Sequence, residues 1–453
     1  MRRSQLLHTG ACSATLVFAF VAGAPQARAV DFAYQANLGL GHSDNIRRTA
    51  ADEEDEDIAA AGLRFSLAEQ SSRLQLDAVG DLAYDEYLHN TFDSELVGSF
   101  AGNARFALVP QRFEWVISDN FGQSLSDPFA PETPDNRENI NSFSTGPDVT
   151  FAFGSQTRLR LGARYSLATY ERSPFDFDTV SGEATLSRSL SSASNVSLNV
   201  RSAQTKYDEA ALNADYDQDE AFVRYDVTGA RTKLGVDLGY TRIDRDAAAE
   251  AEDGLLLRLN ATRRVSAAST ATLTVGREFS NSVSAFASMQ GVGGIGLGAT
   301  PGIQTAQPFT NDYVTLGWDF SRNRTKFGLY GSWSDQSYKD AGTLDQTLTS
   351  ISAQVGRQLS PRTSLDLHAL YDHADFKLQD TDYDDIGAGL GFTWQLSRAV
   401  SLSATYDYLK RSSDVPLNDS TENRYWLSIA YGRGTPRTAM AGPQFPVDQG
   451  SQP

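Results

Sequence analysis

Residues 386–396 read IGAGLGFTWQL, with one apolar residue in every two. Successive side chains of a β-strand point to opposite sides, so this alternation predicts a strand with one apolar face and one small or polar face. The apolar face comprises Ile386, Ala388, Leu390, Phe392, Trp394 and Leu396. A tilted strand of about ten residues is long enough to cross a bilayer, so the stretch predicts a membrane-crossing strand.

The same alternation recurs along most of the chain, and short turns interrupt it at regular intervals. Long polar segments lie midway between the turns, and only residues 93–125 and 139–153 alternate irregularly. The predicted fold class is all-β, a transmembrane antiparallel up-and-down β-barrel of about 20 strands (about 18 to 20), with both ends on the short-turn side. The short turns are predicted near Ser71, Pro110, Ser155, Ser192, Ala230, Ala267, Asn323, Pro361 and Arg398.

The two ends of the chain differ from this barrel pattern. Residues 1–29 have Arg2 and Arg3 at the start, an apolar stretch over 14–22 and a small-x-small site at Ala27 to Ala29, which predicts a secretory signal peptide. The barrel is predicted over 30–433, and a disordered tail rich in Pro, Gly and Gln over 434–453. The only cysteine, Cys12, lies in the signal, so no disulfide is expected in the mature chain.

The composition excludes two other classes of protein. A formal net charge of -18 argues against nucleic acid as a partner. No run of about 18 apolar residues follows the signal, which excludes a helical membrane span. Low mean hydropathy is expected of a membrane barrel, because its lumen-facing and lipid-facing residues alternate. Strands therefore remain the only predicted route through a membrane.

A soluble β-protein would also alternate, so strand length and aromatic placement must separate the two classes. The predicted strands run to about 10 to 15 residues, whereas strands of soluble proteins average about 5 or 6. Aromatic residues also gather towards strand ends, as expected of the girdles at two membrane interfaces. They include Trp333, Trp394, Tyr406, Tyr408, Tyr425 and Trp426.

The opposite parity of each strand predicts the residues that line the lumen. With Leu159, Leu161 and Tyr165 facing lipid, the arginines between them face inward. The row could attract an anionic solute or pair with acidic residues on adjacent strands, and pairing is the favoured interpretation. The lumen-lining candidates are Arg158, Arg160, Arg164, Arg201, Lys233, Asp237, Arg258, Asp366 and His368.

The sequence predicts neither an enzyme nor a cofactor or metal site. His368 and His373 lie among aspartates, but their opposite parity places them on different faces of one strand. The acidic run Asp52 to Asp57 lacks the ligand spacing of a dedicated Ca²⁺ site, and a solvated loop is the favoured interpretation.

Long loops are expected on the side opposite the short turns, which in an outer-membrane barrel is the extracellular side. They include Ser126 to Glu138, which is rich in proline, and the glycine-rich loop 284–309, the longest connection. A long loop in a compact barrel often folds into the lumen as a constriction or closes the mouth. Loop 284–309 is equally compatible with a flexible surface loop, and both interpretations stay open.

The first predicted strand, Tyr34 to Thr49, carries Leu38-Gly39-Leu40 and Ser43-Asp44-Asn45-Ile46. In this element and in hairpin rhythm the chain resembles the outer-membrane β-barrel porins associated with exopolysaccharide systems of Gram-negative bacteria. The resemblance implies the outer membrane as location and a role in moving a polysaccharide across it. It carries over no ligand residues.

Three functional hypotheses follow from the barrel and the resemblance. The first is a channel for exopolysaccharide export, the second a general or sugar-selective diffusion porin, and the third a plugged, non-conducting surface or assembly barrel. The expected partners are outer-membrane lipid and lipopolysaccharide around the barrel, polysaccharide or small sugars in the lumen, and periplasmic export proteins at the short turns.

Overall fold

A computed structural model describes residues 30–209, 213–246, 251–284, 305, 307–338, 342–377, 381–434 and 436. These residues form twenty β-strands and three single 3₁₀ turns, at Pro134–Asn136, Gly342–Leu344 and Pro416–Asn418. The strands are β1 (Asp31–Ser43), β2 (Glu56–Gln70), β3 (Leu74–Tyr87), β4 (Glu95–Val109), β5 (Phe113–Leu125), β6 (Arg137–Phe153), β7 (Thr157–Tyr170), β8 (Phe177–Ser189), β9 (Ser194–Tyr207), β10 (Tyr216–Thr228), β11 (Thr232–Arg245), β12 (Glu252–Ser266), β13 (Ser269–Ser280), β14 (Phe309–Arg322), β15 (Thr325–Ser337), β16 (Gln346–Ser360), β17 (Thr363–Phe376), β18 (Thr381–Gln395), β19 (Val400–Ser413) and β20 (Ser420–Arg433).

Each strand pairs antiparallel with the next in sequence, and β1 pairs with β20, so the sheet closes into a barrel. The closing register runs from Tyr34 opposite Arg433 to Ser43 opposite Arg424. The predicted fold class and the count of about 20 strands are therefore confirmed. Within the described ranges, no helix is long and apolar enough to cross a membrane.

The predicted short turns all fall between paired strands, and β1 begins and β20 ends at that same end of the barrel. One boundary prediction was wrong. β1 stops at Ser43 instead of Thr49, because residues 44–49 turn through Arg48, which has a positive φ of 49°. The stretches that alternate irregularly, 93–125 and 139–153, form β4, β5 and β6, and β4 is irregular, with a register shift between Ala107 and Val109 and a positive φ of 127° at Gly98.

The predicted signal, residues 1–29, lies outside the described residues. So does the predicted tail, apart from residues 434 and 436.

The two faces of the barrel wall differ in polarity. One face exposes large apolar side chains, among them Leu38, Leu161, Leu238, Ile351 and Leu427. The residues of opposite parity are mostly polar or small, as alternation along each strand predicts. We call these the outer and the inner face.

Five of the six aromatic residues of the predicted girdles have the outer parity of their strands, and one does not. Trp333 and Trp394 are exposed on the outer face, and the rings of Tyr406 and Tyr425 there lie 5.1 Å apart. Trp426 has the opposite parity from Tyr425 and turns inward over Gly41, where it packs against the buried Ile46 cluster. It therefore belongs to no girdle.

The outer face carries polar side chains within β5 and β6. Asp119, at the middle of β5, shares the outer parity of the exposed Trp115 but is itself only 6% exposed. It lies opposite Phe143 in the strand pairing and is hydrogen-bonded to Asn141. These polar residues at apolar positions weaken the alternation, which explains why the sequence here reads as irregular.

The seam between β1 and β20 is held by the Ser43-Asp44-Asn45 element. Ser43 Oγ donates to Glu422 at 2.6 Å, and Asp44 accepts from the backbone and side-chain nitrogens of Asn423, both at 2.7 Å. Asn45 is fully buried, and its Nδ2 donates to the carbonyls of Thr421 and Thr49 at 3.0 and 2.8 Å. The motif that carries the family resemblance thus joins the first strand to the last.

Replacing Asn45 with Ala should weaken this seam. The change leaves the carbonyl of Thr421 without that buried donor, and an unsatisfied buried polar group costs about 1–3 kcal/mol. Urea unfolding of the barrel in lipid vesicles should show a loss of that size, whereas Asn195→Ala, at the short-turn end of β9, should unfold like wild type. Equal stability of both variants would remove the seam role from Asn45.

Candidate functional site on the inner face and at the long-loop mouth

The predicted basic row of β7 lies on the inner face, opposite the exposed Leu161. Arg160 is 3.4 Å from Glu183 on β8, and Arg164 is 2.7 Å from Asp148 on β6. Arg158 shares their parity and is exposed near the short-turn end. The pairing interpretation therefore holds for Arg160 and Arg164.

A second set of inner-face charges meets at Arg258 on β12. Its guanidinium lies 3.3 Å from Glu220, 3.8 Å from Asp237 and 2.5 Å from Glu278. Glu220 is on β10, two strands from Arg258, so these side chains cross the inner surface of β11. Arg224 extends the network through a two-point contact with Asp237, at 2.7 and 2.9 Å.

The remaining basic candidates lie outside that network. Arg201 lies opposite both Glu183 and Glu220 in the strand pairing, and Lys233 lies near the short-turn end of β11. Sequence analysis did not single out the acidic partners, although all share the inward parity of their strands. They are Asp148, Glu183, Glu220 and Glu278.

His368 of β17 reaches Asp407 of β19 across the intervening strand, at 2.9 Å. The residue between them in the pairing is Gly389 of β18, and a β-carbon there would overlap both side chains. Asp366 shares the inner face with His368. His373 instead pairs with Asp384 at 3.0 Å on the outer parity, which confirms that the two histidines point to different faces.

The inner face therefore carries charges of both signs, many of them engaged with each other. Such a surface holds water and hydroxyl groups by hydrogen bonding, while the field of each charge is largely cancelled by its neighbour. It differs from a free basic row, which would attract anions strongly.

Replacing Arg258 with Met should destabilise the barrel strongly. The change leaves Glu220, Asp237 and Glu278 facing each other at a position where Arg258 is only 12% exposed. Removing one partner of a buried ion pair costs about 3–5 kcal/mol. Arg158→Met, on the same face but exposed, is the control and should unfold in urea with a midpoint close to wild type; similar losses in both variants would contradict the network.

The loop from 126 to 136, between β5 and β6, leaves its own strands and lies across the long-loop mouth. We call it the strap. Its base is tied by Asn136, whose side chain donates to the carbonyls of Asp127 and Pro131 and accepts from the Asp127 backbone nitrogen. Asn136 is only 9% exposed. The base of the strap is therefore a closed, hydrogen-bonded turn.

The tip of the strap contacts the far wall of the barrel. The ring of Phe129 meets the fully buried Phe376 of β17 edge to face, with centroids 5.0 Å apart. The Phe129 carbonyl accepts from Asn418 at 2.8 Å, and the Ala130 carbonyl accepts from Arg411 at 2.7 Å. Along the shorter way round the barrel, β20 and β1 to β4 separate the strap from Asn418.

Arg411 is the most constrained of these anchors. Its guanidinium makes a two-point contact with Asp385, at 2.8 and 2.6 Å, and lies 3.9 Å from the centre of the Tyr383 ring. The residue is only 4% exposed. Arg411 is thus held by residues of its own wall, and its contact with Ala130 ties the strap to β19.

The sequence identified the strap segment as a long loop but did not predict its crossing. The available signal was an aromatic residue, Phe129, inside a proline-rich polar loop. The constriction hypothesis was assigned to the glycine-rich loop 284–309, and most of that loop lies outside the described residues.

Elsewhere at the mouth, buried apolar side chains pack together near the long-loop ends of the strands. One buried cluster combines residues from the long-loop ends of β6 to β13: Ile140, Ala168, Tyr170, Phe177, Tyr207, Tyr216, Ile243, Phe279 and Val283. The mouth is therefore more tightly packed than the exposed inner positions nearer the short turns, such as Arg158 and Arg201.

The acidic run Asp52 to Asp57 lies at the rim and contacts cationic neighbours. Arg47 donates to Glu54 at 2.5 Å and holds the pKa of that carboxyl below its ordinary value. A hydrogen bond to the Asp55 carbonyl, together with nearby carboxylates, raises the pKa of His89. Across the part of the chain that the structure describes, no group of three or more acidic, histidine or cysteine side chains is placed to hold a metal ion.

Comparison with known proteins gives a match to one protein family over part of the chain. The model of the family described as "Putative beta-barrel porin 2" matches residues 315–433, from within β14 to the end of β20. No curated protein matches the chain.

Among solved structures, the chain is similar to the ferric enterobactin receptor PfeA in complex with BCV-L6, with 11% identity, a TM-score of 0.46, and 90% of this chain and 82% of that one covered. The siderophore receptor PirA from Pseudomonas aeruginosa gives 12% identity and a TM-score of 0.43, over 91% and 81%. A loop-deletion mutant of OmpT from Vibrio cholerae gives 12% and 0.33, over 89% and 99%.

With scores this low, the barrel rests on its own strand pairing, which is continuous and closed. The family match confirms the resemblance to β-barrel porins first seen in β1, through a different part of the chain. From β14 to β20, this barrel has the sequence pattern of a β-barrel porin family.

Proposed function

We propose that the chain is an outer-membrane channel of a Gram-negative bacterium that takes part in the export of an exopolysaccharide. The observation that carries the proposal is the closed barrel with an apolar outer face and a charge-paired inner face. A barrel of about twenty strands is too wide for side chains alone to fill. The porin-family match of residues 315–433 supports a non-enzymatic channel.

The inner face suits a passing polymer rather than a tightly bound ligand. Conduction requires contacts strong enough to admit the solute and weak enough to release it. Paired charges such as Arg164 with Asp148 offer hydrogen bonds without a strong net field. On β18 the three inner positions Gly387, Gly389 and Gly391 carry no side chain of their own, and His368 and Asp407 of the neighbouring strands meet over Gly389.

The partners of the proposed channel follow from its three surfaces. Lipid and lipopolysaccharide would contact the outer face, where leucines and aromatic residues are exposed. Polysaccharide would pass along the inner face, and periplasmic export proteins would meet the short turns.

The second candidate is a general or sugar-selective diffusion porin, which the same inner face would serve. The third is a plugged, non-conducting barrel, which the packed mouth and the strap favour. Conductance and cell phenotype separate the three.

A strain lacking this chain should lose extracellular polysaccharide while its uptake of small sugars stays at the wild-type rate. The reason is that an export channel moves the polymer outward, whereas a diffusion porin supplies small solutes. Polysaccharide is measured in the culture medium and on the cells, with the intact gene restored on a plasmid as the control.

The opposite pattern, normal polysaccharide with slowed sugar uptake, would replace the export proposal with the diffusion porin. Purified protein that never conducts KCl in a planar bilayer would favour the plugged barrel.

A further inference from the structure

We infer that the strap, residues 126–136, sets the size of the passage through this barrel, and that Phe376 and Arg411 on the inner wall, with Asn418 in the turn after β19, hold it across the opening. The inference rests on the proposed channel function. It assigns the constriction to the loop between β5 and β6, a role for which nothing in the strap's own sequence is a known signature.

The first argument is geometrical. The strap begins and ends on neighbouring strands, yet its tip touches β17, β19 and the turn at Pro416–Asn418. Phe376 and Arg411 have the inner parity of their strands, shared with His368 and Asp407 respectively. Five strands lie between the strap and Arg411, and seven lie between it and Phe376, so a loop that reaches these inner-face residues passes over the opening.

The second argument concerns how firmly the tip is held. Phe129 packs against a buried apolar cluster of the far wall, which comprises Leu348, Ala374, Phe376 and Tyr383. The two carbonyl contacts, from Asn418 and Arg411, fix two consecutive peptide groups, Phe129–Ala130 and Ala130–Pro131. An aromatic anchor and two backbone hydrogen bonds together oppose free swinging of the loop.

The third argument concerns charge. Glu132 follows the anchored tip and lies 3.9 Å from Arg137 at the base of the strap, and Arg137 in turn contacts Glu95 at 2.5 Å. The strap therefore returns to its own side through a paired carboxylate. The strap is therefore held at the far wall, at its base and at Glu132 between them. These contacts are expected of a fixed loop and not of a hinged lid.

The test releases the strap and measures the passage. Phe129→Ala combined with Asn418→Ala removes the aromatic anchor and one carbonyl contact, and leaves Arg411 paired with Asp385. Single-channel conductance in KCl should rise, on the order of twofold, because the wide barrel would then be less obstructed. Phe151→Ala, which removes an exposed phenylalanine of the outer face, is the matched control and should conduct like wild type.

A tether provides the reciprocal test. The only natural cysteine, Cys12, lies in the predicted signal, so Ala130→Cys with Asn418→Cys introduces the only reactive pair in the mature barrel. Before cross-linking, this variant lacks one anchor and should conduct more than wild type. A short bismaleimide should return its conductance to the wild-type value, and heat-dependent migration on gels verifies that every variant is folded.

The outcomes separate this inference from the proposed function. If the wild-type protein conducts and both variants that lack strap anchors conduct equally well, the inference about the strap is wrong and the proposed channel function stands. If neither the wild-type protein nor the two variants conduct, both the proposed channel function and the inference about the strap are wrong. If the wild-type protein does not conduct but the variants that lack strap anchors do, the strap is the obstruction, and a plugged barrel is favoured over an open channel.

Discussion

The pairing of β1 with β20 is the constraint on which the rest of the structure depends. In lipid, every backbone N–H and C=O must find a partner within the protein, and a sheet achieves this only when it has no free edge. The register from Tyr34–Arg433 to Ser43–Arg424 removes the last edge. At its long-loop end the seam is reinforced by Ser43, Asp44 and Asn45, so the best hydrogen-bonded part of the closure is also the part nearest the mouth.

Once the barrel is closed, alternation decides what each surface can do. Apolar residues accumulate on the outside, and every polar residue of the opposite parity is forced into one shared interior. Charges from strands that are distant in sequence then meet, as Glu220 and Glu278 do at Arg258. Small residues determine which of these side-chain contacts can form, since His368 reaches Asp407 only because Gly389 has no side chain.

Much of the fold could be predicted from the sequence because the side-chain period of a strand is two and the short turns recur. The same rule placed His368 and His373 on different faces. It failed where local composition opposed it: Asp119 and Asn141 obscured β5 and β6, and Trp426 was assigned by residue type and not by parity.

The site was less predictable for a different reason. The inward arginines could be read from parity, but their partners depend on the register between strands, which alternation does not specify. The strap depends on contacts between Phe129 and residues almost 250 to 290 positions later in the chain, such as Phe376 and Asn418. No local pattern encodes a loop that crosses an opening, because the wall it reaches exists only after the barrel closes.

The most direct test of the central claim is the accessibility of successive residues along β20 in lipid vesicles. Single spin labels at positions 425 to 430 would be exposed in turn to oxygen, which concentrates in lipid, and to a water-soluble nickel complex. If the barrel is closed, Tyr425, Leu427 and Ile429 should respond mainly to oxygen, and Ser428 and Ala430, which have the opposite parity, should respond more to nickel, with a period of two. Equal access of the nickel complex to both sets would contradict a closed barrel with an apolar outside and a polar interior.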